Sequence, residues 1–192
     1  MSTYFFIPEE PTPTCAPLGL TQSLRDFPLV LKPLREHQVQ ALQQAGYTAA
    51  TKAAKAEISI HPFAWLEVAD LENFRQHPTA NVLVDSTGHE LLRKLNGASE
   101  NLIANQSFRI LYPWHLLQAH ERAMALHQNF AEAPPLPPGV YCKGRVQFGK
   151  GTVFLPGVVM EGDIVIGENC KIGPNCYLRG STSIGNQCHV GN

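Results

Sequence analysis

From Val140 onward the apolar positions recur every six residues. Large side chains run Phe148, Phe154, Met160, Ile166, Ile172, Leu178, Ile184 and Val190, with Cys142 one step earlier. Two positions ahead of each stands a small or β-branched residue: Val140, Val146, Thr152, Val158, Ile164, Cys170, Cys176, Thr182 and Cys188. Glycine follows the large residue at Gly149, Gly167, Gly173, Gly185 and Gly191. A six-residue period of this kind reads as one short strand plus a turn, and three such units close a triangular coil of parallel β-structure. The large residue fills the interior, the small one fits near the corner, and glycine permits the turn. Coils of about eighteen residues then give three for residues 139–192, and the last hexad stops two residues in, at Asn192. An open coil end exposes unpaired backbone groups and needs cover, so either the chain is a piece of a longer one or another chain caps it.

The first half has no such period. Tyr4-Phe5-Phe6-Ile7, stopped by Pro8, reads as a first strand. Between Pro33 and Gly46, Leu34, Val39, Leu42 and Ala45 recur at helical intervals and Gly46 suits a C-cap. Trp65 to Gln76 reads as helix, Val82-Leu83-Val84 as a buried strand and Asp85-Ser86-Thr87-Gly88 as a turn. Pro113 is placed to open a helix to about Phe130, with Trp114, Leu117 and Met124 on one face. Alternating strands and helices predict an α/β domain with crossover helices over residues 1–130. In the stretch Ala131 to Pro138, AEAPPLPP, four prolines cannot donate ladder hydrogen bonds and favour an extended, stiff linker.

Composition narrows the function. Fifteen basic and sixteen acidic residues leave a net charge of −1, without the positive excess that nucleic-acid binding requires. No apolar run is long enough for a membrane span, and the first residues carry neither a basic n-region nor an apolar stretch of signal-peptide length. A cytoplasmic protein is expected. The five cysteines form no CxxC pair, and Cys170, Cys176 and Cys188 fall on the small inward position of the repeat, where a free thiol packs as a compact hydrophobe. Trp65 and Trp114 are expected to anchor cores.

The segment IVIGENCKIGPNCYLRGSTSIGNQCHVGN (164–192) resembles the C-terminal β-helix of bacterial and archaeal sugar-1-phosphate nucleotidylyltransferases. Ile110-Leu111-Tyr112-Pro113-Trp114-His115-Leu116-Leu117 looks like the "PWDLL" element before that β-helix, with His115 at the usual acidic position. Lys32-Pro33-Leu34, Glu36-His37-Gln38, Ala41-Leu42 and Ala45-Gly46 look like the helix after the nucleotide-binding loop. The resemblance implies a left-handed winding, an acyltransferase domain of hexapeptide repeats at residues 139–192, and a shortened nucleotidyltransferase-like domain before it. It also implies acetyl-CoA as co-substrate, a sugar phosphate or nucleotide sugar as the other, and homotrimers, since a triangular prism offers flat sides to an axis. The departures are specific. Where the family has a glycine-rich phosphate loop, this chain reads PEEPTPTCAPLG (8–19), with four prolines lacking N–H donors and two adjacent glutamates. The first domain is therefore read as degenerate.

Acyl transfer to an amine needs a base near neutral pH, and within the repeat only His189 qualifies; flanked by the inward Cys188 and Val190, it points outward. Lys171 and Arg179 are candidates for binding substrate or coenzyme phosphates, Arg179 because it replaces glycine at a turn, as in relatives that read YIRG. If nucleotidyl transfer survives, Arg25 and Lys32 are its basic residues and Asp85, after a buried strand, its magnesium ligand. Each also has a plainer reading: a solvated histidine, ordinary surface cations and a turn aspartate. Three functions follow: acyl transfer to a sugar phosphate on the β-helix, sugar-1-phosphate nucleotidyl transfer, or a non-catalytic β-helix that trimerises or regulates a partner.

Overall fold

The computed structural model describes residues 2–10, 13–96, 100–127, 130 and 135–191, without the side chains of Pro13, Leu20 and Thr21. It contains, in chain order, β1 (Thr3–Phe6), α1 (Leu18–Thr21), β2 (Pro28–Leu29), β3 (Lys32–Pro33), α2 (Leu34–Gln44), β4 (Thr48–Ala49), β5 (Ile58–Ile60), β6 (Ala64–Trp65), α3 (Val68–Gln76), β7 (Val82–Val84), β8 (Glu90–Lys94), β9 (Asn101–Ile103), β10 (Phe108–Arg109) and α4 (Pro113–Leu126). The repeat follows as β11 (Tyr141–Phe148), β12 (Val153–Phe154), β13 (Val159–Ile166), β14 (Lys171–Ile172), β15 (Tyr177–Arg179), β16 (Thr182–Ile184) and β17 (His189–Val190). None of the described helices is long and apolar enough to cross a membrane. The chain forms two compact units: residues 1–27 with 33–117, and residues 28–32 with 118–192. The division falls inside α4 rather than at the proline-rich stretch, of which residues 131–134 lie outside those described. Leu136, within that stretch, packs on the core of the repeat.

The first unit is built on a six-stranded sheet of order β4-β1-β5-β8-β7-β9. β8 runs antiparallel to β5 and β7, while β1 pairs parallel with β4 and β5, and β7 with β9. The carboxyl ends of β1, β5, β7 and β9 therefore share one edge, where α/β sheets gather ligands. Leu34, Gln38, Ala41 and Leu42 of α2 are buried at helical spacing, and the helix stops at Gly46, whose φ of +82° lets its N–H reach the carbonyl of Gln43. Tyr4, Leu42, Tyr47, Ile60, Leu71, Phe74, Leu83 and Leu92 make the core.

Two helix expectations need correction. Trp65 is not helical: β6 pairs antiparallel with β10, Trp65 Nε1 donates to Glu67 Oε1 at 2.7 Å, and α3 begins at Val68. Ladder bonds to β10 outweigh the helical pattern there. α4 ends at Leu126 rather than near Phe130, and it buries Leu116, Ala119, Ala123 and Met124, so Met124 does not share a buried face with Trp114 and Leu117. Trp65 is a core anchor at 2% exposure; Trp114 is 59% exposed and stacks on Tyr112 at 4.5 Å between ring centres.

In the second unit the repeat stacks its coils in parallel register. Tyr141 pairs with Val159 and Val159 with Tyr177, and Phe148, Ile166 and Ile184 form a parallel column. Val146, Phe154, Val158, Met160, Ile164, Ile166, Cys170 and Ile172 fill the interior, with Cys176, Leu178, Cys188 and Val190 packed against them. All five cysteines are free thiols. Cys170 Sγ donates to the Gly185 carbonyl at 3.0 Å, so the thiol serves the packing of successive coils.

The coils present three sides. The first carries Tyr141, Val159 and Tyr177 beside Lys143, Glu161 and Arg179. The second carries Gln147, Val165 and Ser183 and is covered: His127 Nε2 lies 2.8 Å from Gln147 Oε1, His120 Nε2 2.9 Å from Ser183 Oγ, and Val165 between them is fully buried. The third carries Val153, Lys171 and His189. Two sides are thus left facing outward.

Candidate functional site

The chemistry-bearing residues of the repeat lie on its third side. Inward Ile172 and Val190 alternate with outward Lys171 and His189, which are exposed register partners on adjacent parallel strands. Neighbouring strands lie about 4.8 Å apart, so an ammonium and an imidazole stand side by side. Val153, half exposed, completes the column with an apolar surface. The arrangement offers a titratable base, a fixed positive charge and a flat apolar contact.

Arg179 stands elsewhere. It is exposed on the first side, in register with Glu161, which in turn pairs with Lys143 and accepts a hydrogen bond from Tyr177 Oη at 2.5 Å. Arg145 and Asp163 form an ion pair on the same strands. Arg179 and Arg145 are therefore matched by acids in the neighbouring coil, and within one chain Arg179 does not share a side with His189.

Of the residues assigned to nucleotidyl transfer, Arg25 and Asp85 already have protein partners. Arg25, in the first unit, lies 4.0 Å over the Phe6 ring, reaches Gln38 Oε1 at 3.4 Å and faces Glu9 at 4.0 Å. Glu9, from the proline-rich stretch 8–19, thus stands beside the Arg25 guanidinium. Lys32 lies in the β2–β3 hairpin, which groups with the other unit. Asp85 is buried at the end of β7, and both carboxylate oxygens are committed. Oδ1 accepts from Thr87 N and His89 N at 2.9 Å and from Thr87 Oγ1 at 2.6 Å; Oδ2 accepts from Arg109 N at 3.2 Å. Burial alone would raise its pKa, but these donors together hold it below the usual carboxylate range. This is the geometry of a turn-holding aspartate. Among the described residues no group of three or more His, Cys, Asp or Glu is placed to hold a metal.

Residues 145–180 and 163–192 match the family model described as Bacterial transferase hexapeptide (six repeats). The second unit carries a transferase hexapeptide repeat. That repeat implies left-handed winding of the coils, with which the parallel registers are compatible. No curated protein matches the chain. The match stays within the second unit and does not reach the nucleotidyltransferase-like reading of the first.

Sequence reasoning passed over the first unit's own cleft. A cavity of about 380 Å³ lies where β1 and β5 end, lined by Pro8, Glu10, Ser59, His61, Glu90 and Arg109 among others. His61 Nδ1 accepts from Phe63 N at 3.1 Å, and burial first, then the nearby Arg109 charge, push its pKa down to about 3. A single arginine and a single histidine 48 positions apart carry no spacing signal; the strand pairing of β6 with β10 brings them together.

Proposed function

We propose that this protein is an acyltransferase that moves an acetyl group from acetyl-CoA to the amine of an amino-sugar phosphate on the outer surface of its β-helix. The carrying observation is the transferase hexapeptide repeat over residues 145–192. The paired Lys171 and His189 support it. In this reading the acceptor nitrogen attacks the thioester carbonyl, His189 takes the proton the nitrogen loses, the C–S bond breaks, and coenzyme A leaves as its thiol. Lys171 holds a phosphate of the acceptor or coenzyme as a point charge. Arg179, on another side, would serve the same site only across a subunit boundary, which agrees with a homotrimer in which the two uncovered sides of neighbouring prisms meet. Nucleotidyl transfer has less support, because Asp85 and Arg25 already have protein partners.

The test is release of free thiol from acetyl-CoA in the presence of amino-sugar phosphates. We expect His189→Ala to lower kcat by about 10²–10⁴-fold and Lys171→Ala to raise KM with kcat retained. A wild-type chain that transfers no acetyl group to any amino-sugar phosphate would leave the non-catalytic role, and a His189→Ala rate equal to wild type would remove His189 as base. Light scattering checks the assembly: three times the 21.1 kDa chain mass is expected.

A further inference from the structure

The cleft of the first unit contains a positive group that its surroundings leave incompletely bonded. Among the described residues, Arg109 Nε is the buried side-chain nitrogen or oxygen without a hydrogen-bond partner. Such a donor loses water on burial without a replacement acceptor, which costs about 1–3 kcal/mol. The residue is nonetheless fixed at both ends. Its backbone N–H donates to Asp85 Oδ2 at 3.2 Å, Nη1 donates to the Glu90 carbonyl at 3.3 Å, and β10 is paired to β6. The guanidinium is therefore held in place beside the cleft with Nε itself closed off from solvent, so contact with a ligand falls to its terminal nitrogens.

The other groups of the cleft define what would use it. His61 accepts from the Phe63 amide through Nδ1, so the hydrogen of its neutral ring is on Nε2, making the ring a second donor on the cleft wall. Ser59 adds a hydroxyl. Of the acids, Glu90 is paired with Arg93 and Asp85 is saturated by the turn, while Glu10 stands exposed at the cleft. Donors accompanied by the exposed Glu10 carboxylate, whose charge already acts on Arg109, suit one oxyanion but repel a polyanion. Pro8, also lining the cleft, has no N–H to cradle a triphosphate.

We infer that this cleft binds a small molecule through one carboxylate or phosphate group, with the Arg109 guanidinium and the His61 ring as its donors. The site is separate from the acyl-transfer surface of the repeat and does not depend on it. Its volume of about 380 Å³ is at the small end of the range for ligand pockets, about 300–1,000 Å³.

The full-length protein is to be titrated with sodium acetate and, separately, with inorganic phosphate at constant ionic strength, following backbone amide NMR shifts. We expect saturable shifts at His61, Phe63 and Arg109 with one or both probes. Acetate alone indicates a carboxylate ligand and phosphate alone a phosphate ester, and either supports the site. Arg109→Lys, which keeps the charge but loses the fork, should weaken binding about tenfold or more. Glu10→Gln, an exposed change that spares the fold, should tighten it about fivefold by removing a like charge. Shifts that do not saturate, affinities that ignore both substitutions, or saturation by a magnesium nucleoside triphosphate alone would each overturn the proposal.

Discussion

The two units hold their loops in different ways. In the repeat, the neighbour of any residue stands one coil away: Gly144 lies over Gly162 and Gly162 over Gly180, Lys171 over His189, Ile166 over Ile184. In the α/β unit, single buried carboxylates gather distant backbone. Asp70, on α3 and 3% exposed, accepts from Asn105 N and Gln106 N at 2.9 Å and from Ser107 N at 2.7 Å, and Asp85 does the same for its turn. The repeat is specified by shape at every coil; the α/β unit is specified at a few polar points, and its surroundings are otherwise irregular.

Glycine makes the contrast measurable. Gly144 has φ +136°, and a Cβ built there would lie 2.3 Å from the Gly162 carbonyl oxygen, which belongs to the next coil's backbone and cannot yield. Gly88, in the turn held by Asp85, has φ +88° but open space around it. Gly144→Ala should therefore destabilise by about 4 kcal/mol, from strain plus a backbone clash, and Gly88→Ala by about 1 kcal/mol, from the left-handed backbone alone. Denaturant unfolding checks both. Equal costs would mean that coil stacking adds nothing to the conformational term.

Removing a polar point should cost somewhat less than breaking a coil. Asp70→Ala leaves three loop N–H groups without their acceptor, about 3 kcal/mol. The pH dependence has a definite sign. Burial opposes the charged form of Asp70, but its backbone and Ser107 donors together hold the pKa below the usual range. A folded-state pKa below the unfolded value contributes stability above about pH 4 that is lost as pH falls through the folded value. Wild type should lose stability on acidification below pH 4, and Asp70→Ala should show a shallower loss. Parallel pH profiles would show that the carboxylate charge does not hold residues 105–107.

These differences also explain what was legible in the sequence. The hexad announced the coils, their interior and the outward direction of His189, because a period repeated along the chain reports a repeated environment. The Lys171–His189 pairing follows from the same period. β8 and β9 gave no signal, since the antiparallel insertion of β8 between β5 and β7 is decided by tertiary pairing. The face of α4 was misassigned because Trp114 and Leu117 are apolar yet exposed, while small Ala119 and Ala123 make the buried stripe. The Arg109–His61 cleft needed the sheet to bring its two walls together, and Asp85 matched its turn reading because an aspartate before Ser-Thr-Gly has a local conformational role wherever it occurs.

The smallest effect tests the hairpin that leaves its own stretch of sequence to group with the repeat. β2 and β3 are joined through Val30 at φ 49° and Leu31 at φ 66°, the paired left-handed conformation of a type I′ turn, which favours Asn-Gly. A branched or bulky side chain costs about 1–2 kcal/mol per residue there. Leu31 is 40% exposed, so Leu31→Gly relieves strain at little loss of burial and should stabilise by about 1 kcal/mol after the unfolded-state entropy of glycine is subtracted. Val30 is 4% exposed, and Val30→Asn gives up a buried side chain worth about 2 kcal/mol, which outweighs the relief and should destabilise. Opposite signs at adjacent residues of one turn separate backbone strain from packing. If Leu31→Gly also destabilised, its side chain rather than the turn would be what the hairpin contributes, and amide exchange at Val165 in the repeat against Leu83 in the α/β sheet would show which unit receives it.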